Sequence, residues 1–193
     1  MATVIVPFRG RAAKQRLELD DETRAALAHA MLEDVVAACA EIGRTLVVTP
    51  EDAPAPRGAE LVADPGRGQG AAVEAALAEV DAGPVAVVNA DLPCATTRDL
   101  LSLLGCVPEG GLAVVRAADG TTNALALSSP SLFEPVYGPR SAARFLALAP
   151  SREVEIPNLA DDVDSLADLE RLELRLGPHS SAVLEDLRAG LAG

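Results

Sequence analysis

Short blocks of β-branched residues alternate with stretches of helical periodicity along most of this chain, and that alternation limits its fold more than any other feature. Such an order is typical of a largely parallel sheet covered by helices. The apolar strand at residues 84–89 shows no polar face, so we place it at the centre of the sheet. Further strands are predicted at residues 3–6, 45–49 and 60–63, and helices at residues 22–42, 70–80 and 97–104.

The later part of the chain predicts an antiparallel pair of strands. Residues 112–115 and 123–128 flank Asp119-Gly120, a dipeptide that favours a tight turn. A mixed, mostly parallel sheet is therefore expected, and a length of 193 residues fits one domain spanning residues 1–193. We also predict a helix at residues 139–148, a strand at 153–156 and a last short helix or frayed tail at 180–191. Two more helices begin at capping boxes, Thr96 with Asp99 and Ser165 with Asp168, and one face of the second is formed by Leu166, Leu169, Leu172 and Leu176.

Composition excludes several classes of function. A net charge of −13 disfavours binding to nucleic acid or to an anionic membrane, so any phosphate site must be local. Cys39, Cys94 and Cys106 are widely spaced and have no His partners, which disfavours a disulfide framework or a zinc site. No apolar block is long enough to span a membrane and no signal peptide is recognisable, so we expect a cytoplasmic protein.

Three aspartates suggest a metal site. Asp91 follows the carboxyl end of the central strand, where open α/β sheets place their ligands. Asp162 and Asp164 occupy alternate positions and would point to the same side of an extended segment. Turn chemistry and helix N-terminal charge are the alternative explanations. Carboxylates gathered in a cleft repel one another unless a cation lies between them, and Mg²⁺ with substrate phosphates suits that place.

A basic loop follows the first strand. Residues 9–16 hold four of the 16 basic residues in a chain of net charge −13. Lys14 and Arg16 could neutralise the charge on a departing pyrophosphate, and Gly10 would allow the backbone to approach a phosphate or a base closely. A solvated basic surface loop is the alternative.

Three further segments suggest ligand contacts. Residues 66–71 match the dinucleotide-binding pattern G-x-G-x-x-G/A, but the strand before them is short and ends in Asp-Pro. A glycine-rich loop that approaches a base or ribose explains the same residues, as does a plain turn into a helix. Residues 121–123 and 137–141 offer hydroxyl groups and a helix start, which suit a phosphate or ordinary turn and cap chemistry.

Six segments, taken in order, resemble the guanylyltransferases of coenzyme F-420 biosynthesis, which act on phosphoenolpyruvate or 2-phospho-L-lactate. The resemblance extends from the first strand to about residue 176. It implies a three-layer αβα nucleotidyltransferase fold, similar to the nucleotide-diphospho-sugar transferases, that uses GTP and Mg²⁺ and releases pyrophosphate. The six segments are residues 6–17, 64–66, 90–93, 120–125, 138–141 and 162–165.

The resemblance also implies roles for individual residues. The metal ligands would be Asp91, Asp162 and Asp164, and the catalytic residues Asp91, Lys14 and Arg16. GTP would contact Pro7, Gly10, Arg11, Lys14, Asp64, Gly66 and Gly70. The phosphoacid would contact Thr122, Gly138 and Ser141. The chain departs from the family pattern at Arg9, where Lys is usual, and at Gln15, where Ser is usual, so cationic contacts in the first loop could be shared differently.

Two alternatives remain open at this point. One is a nucleotidyltransferase with another acceptor, such as molybdopterin or a sugar phosphate, and the other is a non-catalytic dinucleotide-binding module. The expected partners are GTP and a small phosphorylated three-carbon acid. A homodimer is compatible with the sequence, which does not define the oligomeric state.

Overall fold

The computed structural model describes residues 1–10, 19–50 and 55–191. Seven strands in these ranges form one sheet in the order β3-β2-β1-β4-β6-β5-β7. The central position of β4, predicted from its apolar faces, is confirmed. The strands are β1 (Ala2–Pro7), β2 (Gly43–Thr49), β3 (Ala59–Ala63), β4 (Val85–Val88), β5 (Leu112–Arg116), β6 (Thr122–Leu127) and β7 (Ser151–Glu153).

Strand β6 runs against all its neighbours, whereas the pairs β1–β2, β1–β4, β2–β3 and β5–β7 are parallel. The predicted mixed, mostly parallel sheet is therefore confirmed, as is the antiparallel pair that flanks Asp119-Gly120. Because β6 is reversed, its first residues lie at the same edge of the sheet as the carboxyl ends of the parallel strands. That edge carries Asp91 after β4 and Thr122 at the start of β6.

Helices cover both faces of the sheet. The described helices are α1 (Asp21–Ala40), α2 (Gln69–Leu77), α3 (Thr97–Gly105), α4 (Ser141–Phe145), α5 (Pro157–Ala160), α6 (Leu166–Leu172) and α7 (Pro178–Leu191), and two 3-10 turns lie at Pro130–Leu132 and Glu173–Arg175. Buried side chains of α1, α3 and α5 pack on one face, and those of α2 and α4 pack on the other. This arrangement is the expected three-layer αβα fold. None of the helices in the described ranges has the length and apolar character needed to cross a membrane.

Both predicted capping boxes are present. The Thr96 hydroxyl accepts the Asp99 N–H while the Asp99 carboxylate accepts the Thr96 N–H, and Ser165 and Asp168 form the same pair at the start of α6. Each reciprocal pair satisfies two N–H groups that a helix start would otherwise leave without partners.

Three predicted boundaries in the last third of the chain are wrong. The helix expected at residues 139–148 spans only Ser141–Phe145, because Arg140 adopts a left-handed conformation with φ 59° and prevents an earlier start. The strand expected at residues 153–156 is Ser151–Glu153, and Pro157 instead begins the short helix α5. The helical face expected to continue to Leu176 ends at Leu172 and is followed by a 3-10 turn.

Candidate active site

Residues at the end of β4 and the start of β6 form the centre of the site. Val88 pairs with Ala124 across the two antiparallel strands, and the Asn89 N–H donates to the carbonyl of Asn123 at 3.0 Å. The turn after β4 then carries Asp91, anchored by the fully buried Leu92. Side chains that leave these two strand ends are therefore held at the same edge of the sheet.

The structure brings the three predicted aspartates together. Asp91, Asp162 and Asp164 each offer a carboxylate oxygen, and these oxygens lie within 4.8 Å of one another. Asp91 and Asp162 are half-buried, whereas Asp164 is exposed. Oxygen ligands at this spacing fit a hard divalent cation such as Mg²⁺, which also keeps positions for water and phosphate.

Local packing explains why the side chains of Asp162 and Asp164 point to the same side of the segment. The Val163 N–H donates to the carbonyl of Asp91 at 3.1 Å, which joins the two acidic segments directly. The Val163 side chain is fully buried in a cluster with Leu27 and Met31. Because Val163 points into this core, Asp162 and Asp164 on either side of it point towards the cluster of carboxylates.

The helix cap that follows also fixes this segment. The carboxylate of Asp168 accepts the N–H groups of Asp164 and Ser165 and the Ser165 hydroxyl. The backbone immediately after Asp162 is therefore held by the start of α6. A residue that the sequence identified as a helix cap consequently positions one of the predicted metal ligands.

Electrostatics at the cluster favour a bound cation. Burial, followed by the charge of Asp91 and then by that of Asp164, raises the pKa of Asp162, although a hydrogen bond from Asn123 opposes the shift. Folding therefore places the negative charge of Asp162 in an environment that destabilises it. A cation between these carboxylates would favour the ionised form of Asp162 and remove the repulsion.

Asp161, in the same acidic run, has a different environment. Burial alone would raise its pKa, but hydrogen bonds from Arg175 and Arg171 lower the pKa below its usual value. Arg171 Nη1 lies 3.1 Å from Asp161 Oδ1. Asp161 is thus neutralised by side chains of α6 and the following 3-10 turn. Substitution of Asp161 is therefore a suitable control for substitutions of the aspartates in the cluster.

The predicted acceptor residues Thr122 and Ser141 also meet. Their hydroxyl oxygens lie 3.0 Å apart, and both residues are buried. Gly138 lies in the turn before Ser141 with φ 104°, and its carbonyl accepts the Ser141 N–H at 3.0 Å. Thr122 and Asn123 occupy consecutive positions of β6, so their side chains leave opposite faces of the sheet. Thr122 faces Ser141, and Asn123 faces the carboxylate cluster.

Arg144 holds the turn that contains Gly138. Its guanidinium donates to the carbonyls of Val136, Tyr137 and Pro139, at distances between 2.7 and 3.0 Å. A planar group with five N–H donors can satisfy three carbonyls at once, which a lysine ammonium cannot do in the same geometry. Arg144 therefore fixes the turn from which Ser141 begins α4.

If Thr122 and Ser141 hold the phosphoacid, as the family resemblance implies, Arg144→Met should weaken its binding, because the turn before Ser141 loses the donors that hold it. The KM for the acceptor should rise roughly tenfold, since small misplacements of binding groups have effects of this size or larger. The KM for the nucleotide should change little. Arg152→Met, which removes an exposed arginine on β7, is the matched control. A rise in the nucleotide KM alone would contradict this role.

The predicted nucleotide residues are only partly within the described ranges. Asp64 Oδ1 accepts the Gly66 N–H at 2.8 Å, and Gly66 has a positive φ of 71°, so these residues build a tight turn before α2. Pro7 ends β1, and Gly10 is buried with φ 60°. Their contact with a nucleotide stays a prediction. The predicted residues Arg11, Lys14 and Arg16 lie outside the described residues.

Gly70, also predicted to contact the nucleotide, has a packing role in the structure. A methyl group added at Gly70 would lie 2.7 Å from Cβ of Pro135, which is closer than two carbons can approach. The first turn of α2 therefore touches the segment that leads to Gly138. This contact explains the glycine without excluding a nucleotide nearby.

Two side-chain amides at this edge were missed in the sequence. Asn123 Nδ2 donates to the carbonyl of Ala160 at 3.0 Å and to Asp162 Oδ1 at 3.2 Å. Asn89 Nδ2 donates to the carbonyl of Thr122 at 3.2 Å. Their positions, one directly after β4 and one next to Thr122, were the available signal. Arg144 was missed as well, because the sequence does not show that the carbonyls of the turn at residues 136–139 face its side chain.

The fold and the carboxylate cluster define the class of nucleotidyltransferases built on a mixed α/β sheet. A crystal structure from Desulfovibrio desulfuricans G20, described as a candidate nucleotide-diphospho-sugar transferase, aligns with a TM-score of 0.73 at 17% identity over 97% of this chain and 95% of that one. The 2-C-methyl-D-erythritol 4-phosphate cytidylyltransferase of Thermus thermophilus aligns with a TM-score of 0.62 at 18% identity over 94% and 98% of the two chains. These similarities show the fold.

The chain itself belongs to the family described as "Guanylyl transferase CofC like", whose model matches residues 2–172. The phosphoenolpyruvate guanylyltransferase of Nocardia farcinica is 36% identical, over 91% of this chain and 86% of that protein. The protein is therefore a nucleotidyltransferase. The dinucleotide-binding pattern at residues 66–71 requires an acidic ribose ligand about 20 residues further on, a place that Asp91 occupies. Asp91 instead lies in the carboxylate cluster, so the alternative of a non-catalytic dinucleotide-binding module gains no support.

Proposed function

We propose that this protein transfers the guanylyl group of GTP to the phosphate of phosphoenolpyruvate and releases pyrophosphate, as the family resemblance implies for coenzyme F-420 biosynthesis. The observation that carries the proposal is the placement of two groups at one edge of the sheet. The carboxylates of Asp91, Asp162 and Asp164 lie on one side of the start of β6, and the hydroxyl pair of Thr122 and Ser141 lies on the other.

The carboxylate cluster is the proposed Mg²⁺ site. Its donors are the three carboxylate oxygens within 4.8 Å of one another, and Asn123 orients Asp162 from the neighbouring strand. Bound Mg²⁺ would neutralise negative charge on the reacting phosphates. Three aspartates with one amide behind them are ligands of the type that Mg²⁺ prefers.

The proposed reaction needs alignment more than proton transfer. An oxygen of the acceptor phosphate attacks the α-phosphorus of GTP, a new P–O–P bond forms, and the bond to the β-phosphate oxygen breaks as pyrophosphate leaves. The attacking phosphate is already an anion near neutral pH, so the site does not need a general base. Thr122, Gly138 and Ser141 would hold the acceptor, and alignment of two bound reactants can lower a barrier by about 7 kcal/mol or more.

Two loops are proposed to hold GTP. One contains Pro7 and Gly10 and continues through Arg11, Lys14 and Arg16, where the cations would neutralise the departing pyrophosphate. The other runs from Asp64 to Gly70 and leads into α2, whose first N–H groups favour negative charge. Both loops follow strands whose carboxyl ends point to the edge that carries the carboxylate cluster.

The test is pyrophosphate release from GTP with Mg²⁺, measured with phosphoenolpyruvate, with 2-phospho-L-lactate and without an acceptor. We expect release that requires an acceptor, and the highest kcat/KM with phosphoenolpyruvate. Replacing GTP by ATP, CTP or UTP should reduce the rate. Turnover with a sugar phosphate or molybdopterin, but with neither phosphoacid, would contradict the proposed acceptor.

Magnesium binding should also be visible as a change in stability. Mg²⁺ at ten times its Kd adds about 1.4 kcal/mol to the free energy of unfolding of a protein that binds it only when folded. In Asp162→Asn we expect a Tm a few degrees above that of the metal-free wild type at neutral pH, because the cost of burying the charge and the repulsion from Asp91 are both removed. The variant should gain little from added Mg²⁺.

The pH dependence of this difference has a definite sign. Since folding raises the pKa of Asp162, the destabilisation by its charge is present above that pKa and is relieved as the pH falls through it. Without metal, the Tm difference between Asp162→Asn and the wild type should therefore shrink as the pH is lowered. A variant with a lower Tm than the metal-free wild type at neutral pH would contradict the role of Asp162.

A further inference from the structure

A short chain of amide hydrogen bonds joins the glycine-rich loop at residues 64–70 to Thr122, one of the predicted acceptor residues. Gln69, the first residue of α2, donates from Nε2 to Asn89 Oδ1 at 2.7 Å, and Asn89 donates from Nδ2 to the carbonyl of Thr122 at 3.2 Å. The Asn89 N–H also donates to the carbonyl of Asn123. The start of β6, and with it the Thr122 hydroxyl, is thus held by a residue that Gln69 orients.

The direction of these hydrogen bonds fixes the orientation of the Asn89 amide. An amide has one donor end and one acceptor end, so the donor of Gln69 selects the orientation of Asn89 that leaves Nδ2 facing Thr122. If Gln69 could not donate, Asn89 would lose the partner that fixes this orientation. Both Gln69 and Asn89 are half-buried, where such bonds are stronger than in open water.

A second contact links the same two parts of the site independently. Gly70 packs against Pro135 so closely that a methyl group at Gly70 would overlap it. Pro135 lies just before the turn that Arg144 holds and that ends at Ser141. The first turn of α2 is therefore linked to Thr122 by the hydrogen bonds of Asn89. It is linked to the turn before Ser141 by packing against Pro135.

We propose that Gln69 and Asn89 are positioning residues that couple occupation of the glycine-rich loop to binding of the phosphoacid between Thr122 and Ser141. This inference rests on the proposed function, because it takes the loop as the nucleotide side and the hydroxyl pair as the acceptor side. Nucleotide that contacts the loop would stabilise this position of Gln69, and Gln69 through Asn89 would stabilise that of Thr122. The two substrates then bind with positive cooperativity.

The test is a binding measurement that does not depend on turnover. The affinity for phosphoenolpyruvate is measured by calorimetry with Mg²⁺, in the presence and absence of a GTP analogue with a methylene bridge between the α- and β-phosphates. In the wild type we expect the analogue to strengthen binding of the acid about fivefold or more, a typical size for coupled sites. The reciprocal titration should give the same factor.

Two variants each remove a different hydrogen bond of this amide series. Gln69→Leu removes the donor to Asn89, whereas Asn89→Asp keeps an acceptor for Gln69 and removes the donor to the carbonyl of Thr122. In each variant the coupling factor should fall to below about twofold, and in Asn89→Asp the analogue alone should bind within about threefold of its wild-type affinity. The double variant should show no further loss, because residues that act as one unit have non-additive effects. Gln69→Glu replaces Gln69→Leu if the leucine variant does not fold.

Glu74→Gln is the matched control, since Glu74 is exposed on α2 and lies away from the amide chain. Its coupling factor should equal that of the wild type. An unchanged coupling factor in Gln69→Leu would overturn the inference, as would losses that simply add in the double variant. Loss of analogue binding in Gln69→Leu would make Gln69 a nucleotide ligand and not a positioning residue. If the wild type binds neither the analogue nor the acid, the proposed function fails and not only this inference.

Discussion

Replacing Asp91 by Asn is expected to reduce turnover of GTP by at least about a hundredfold while leaving the fold intact. Asp91 is the member of the carboxylate cluster that follows β4, and its charge faces that of Asp162. Asp91 would act through the metal ion that it holds, and loss of one group that stabilises transition-state charge costs a factor of about a hundred or more in other enzymes. The measurement is kcat for pyrophosphate release with saturating GTP, phosphoenolpyruvate and Mg²⁺, together with a thermal unfolding curve.

Asp161→Asn is the matched control for that experiment. It changes the same chemical group in the neighbouring segment, but Asp161 is neutralised by Arg171 and Arg175. We expect kcat close to that of the wild type and a small loss of stability, because exposed ion pairs contribute about 1 kcal/mol or less. Equal losses of activity in Asp91→Asn and Asp161→Asn would show that charge in general, and not the cluster, determines the rate.

Replacing Thr122 by Val is expected to raise the KM for the phosphoacid roughly tenfold to a hundredfold. Valine has nearly the same shape but lacks the hydroxyl, and hydrogen bonds to charged groups are worth about 1.5–3 kcal/mol. The substitution also leaves the Ser141 hydroxyl without its 3.0 Å partner. The KM for GTP should change much less, because the substitution lies on the face of β6 that is proposed to bind the acceptor. Steady-state kinetics with each substrate varied in turn measure both constants.

Thr121→Val provides the comparison for Thr122→Val. The Thr121 hydroxyl donates to Asp119 in the exposed turn between β5 and β6, so the same chemical change occurs one residue away. We expect the acceptor KM of Thr121→Val to stay within about threefold of the wild-type value. An acceptor KM that rises equally in both variants would attribute the effect to the hairpin and not to the hydroxyl pair.

The elements that the sequence predicted well are those whose signals are local. The apolar run of β4 predicted its central place because a strand buried on both faces has no polar side. The capping boxes at Thr96 and Ser165 are short-range patterns and both are present. The alternate positions of Asp162 and Asp164 predicted that the two acids share a side, and the structure places them together with Asp91.

The elements that were missed depend on contacts between distant parts of the chain. Arg140 takes a left-handed conformation in a turn whose carbonyls are held by Arg144, and helical periodicity does not predict that turn. Asn89 and Gln69 lie 20 residues apart, and nothing in either local sequence indicates that their amides meet. The sequence predicted the antiparallel direction of β6 but not the contacts that this direction gives to Asn123 and Thr122. Reversal brings Asn123 to the carboxylate cluster and Thr122 to Ser141.

The most direct test of the account is the position of a bound divalent cation. Crystals soaked with Mn²⁺ and GTP, measured at a wavelength where manganese scatters anomalously, would locate the ion without reference to activity. We expect an anomalous peak among the carboxylates of Asp91, Asp162 and Asp164, with the GTP phosphates beside it. A fully occupied manganese site elsewhere, with these three carboxylates making no contact to metal, would contradict the account.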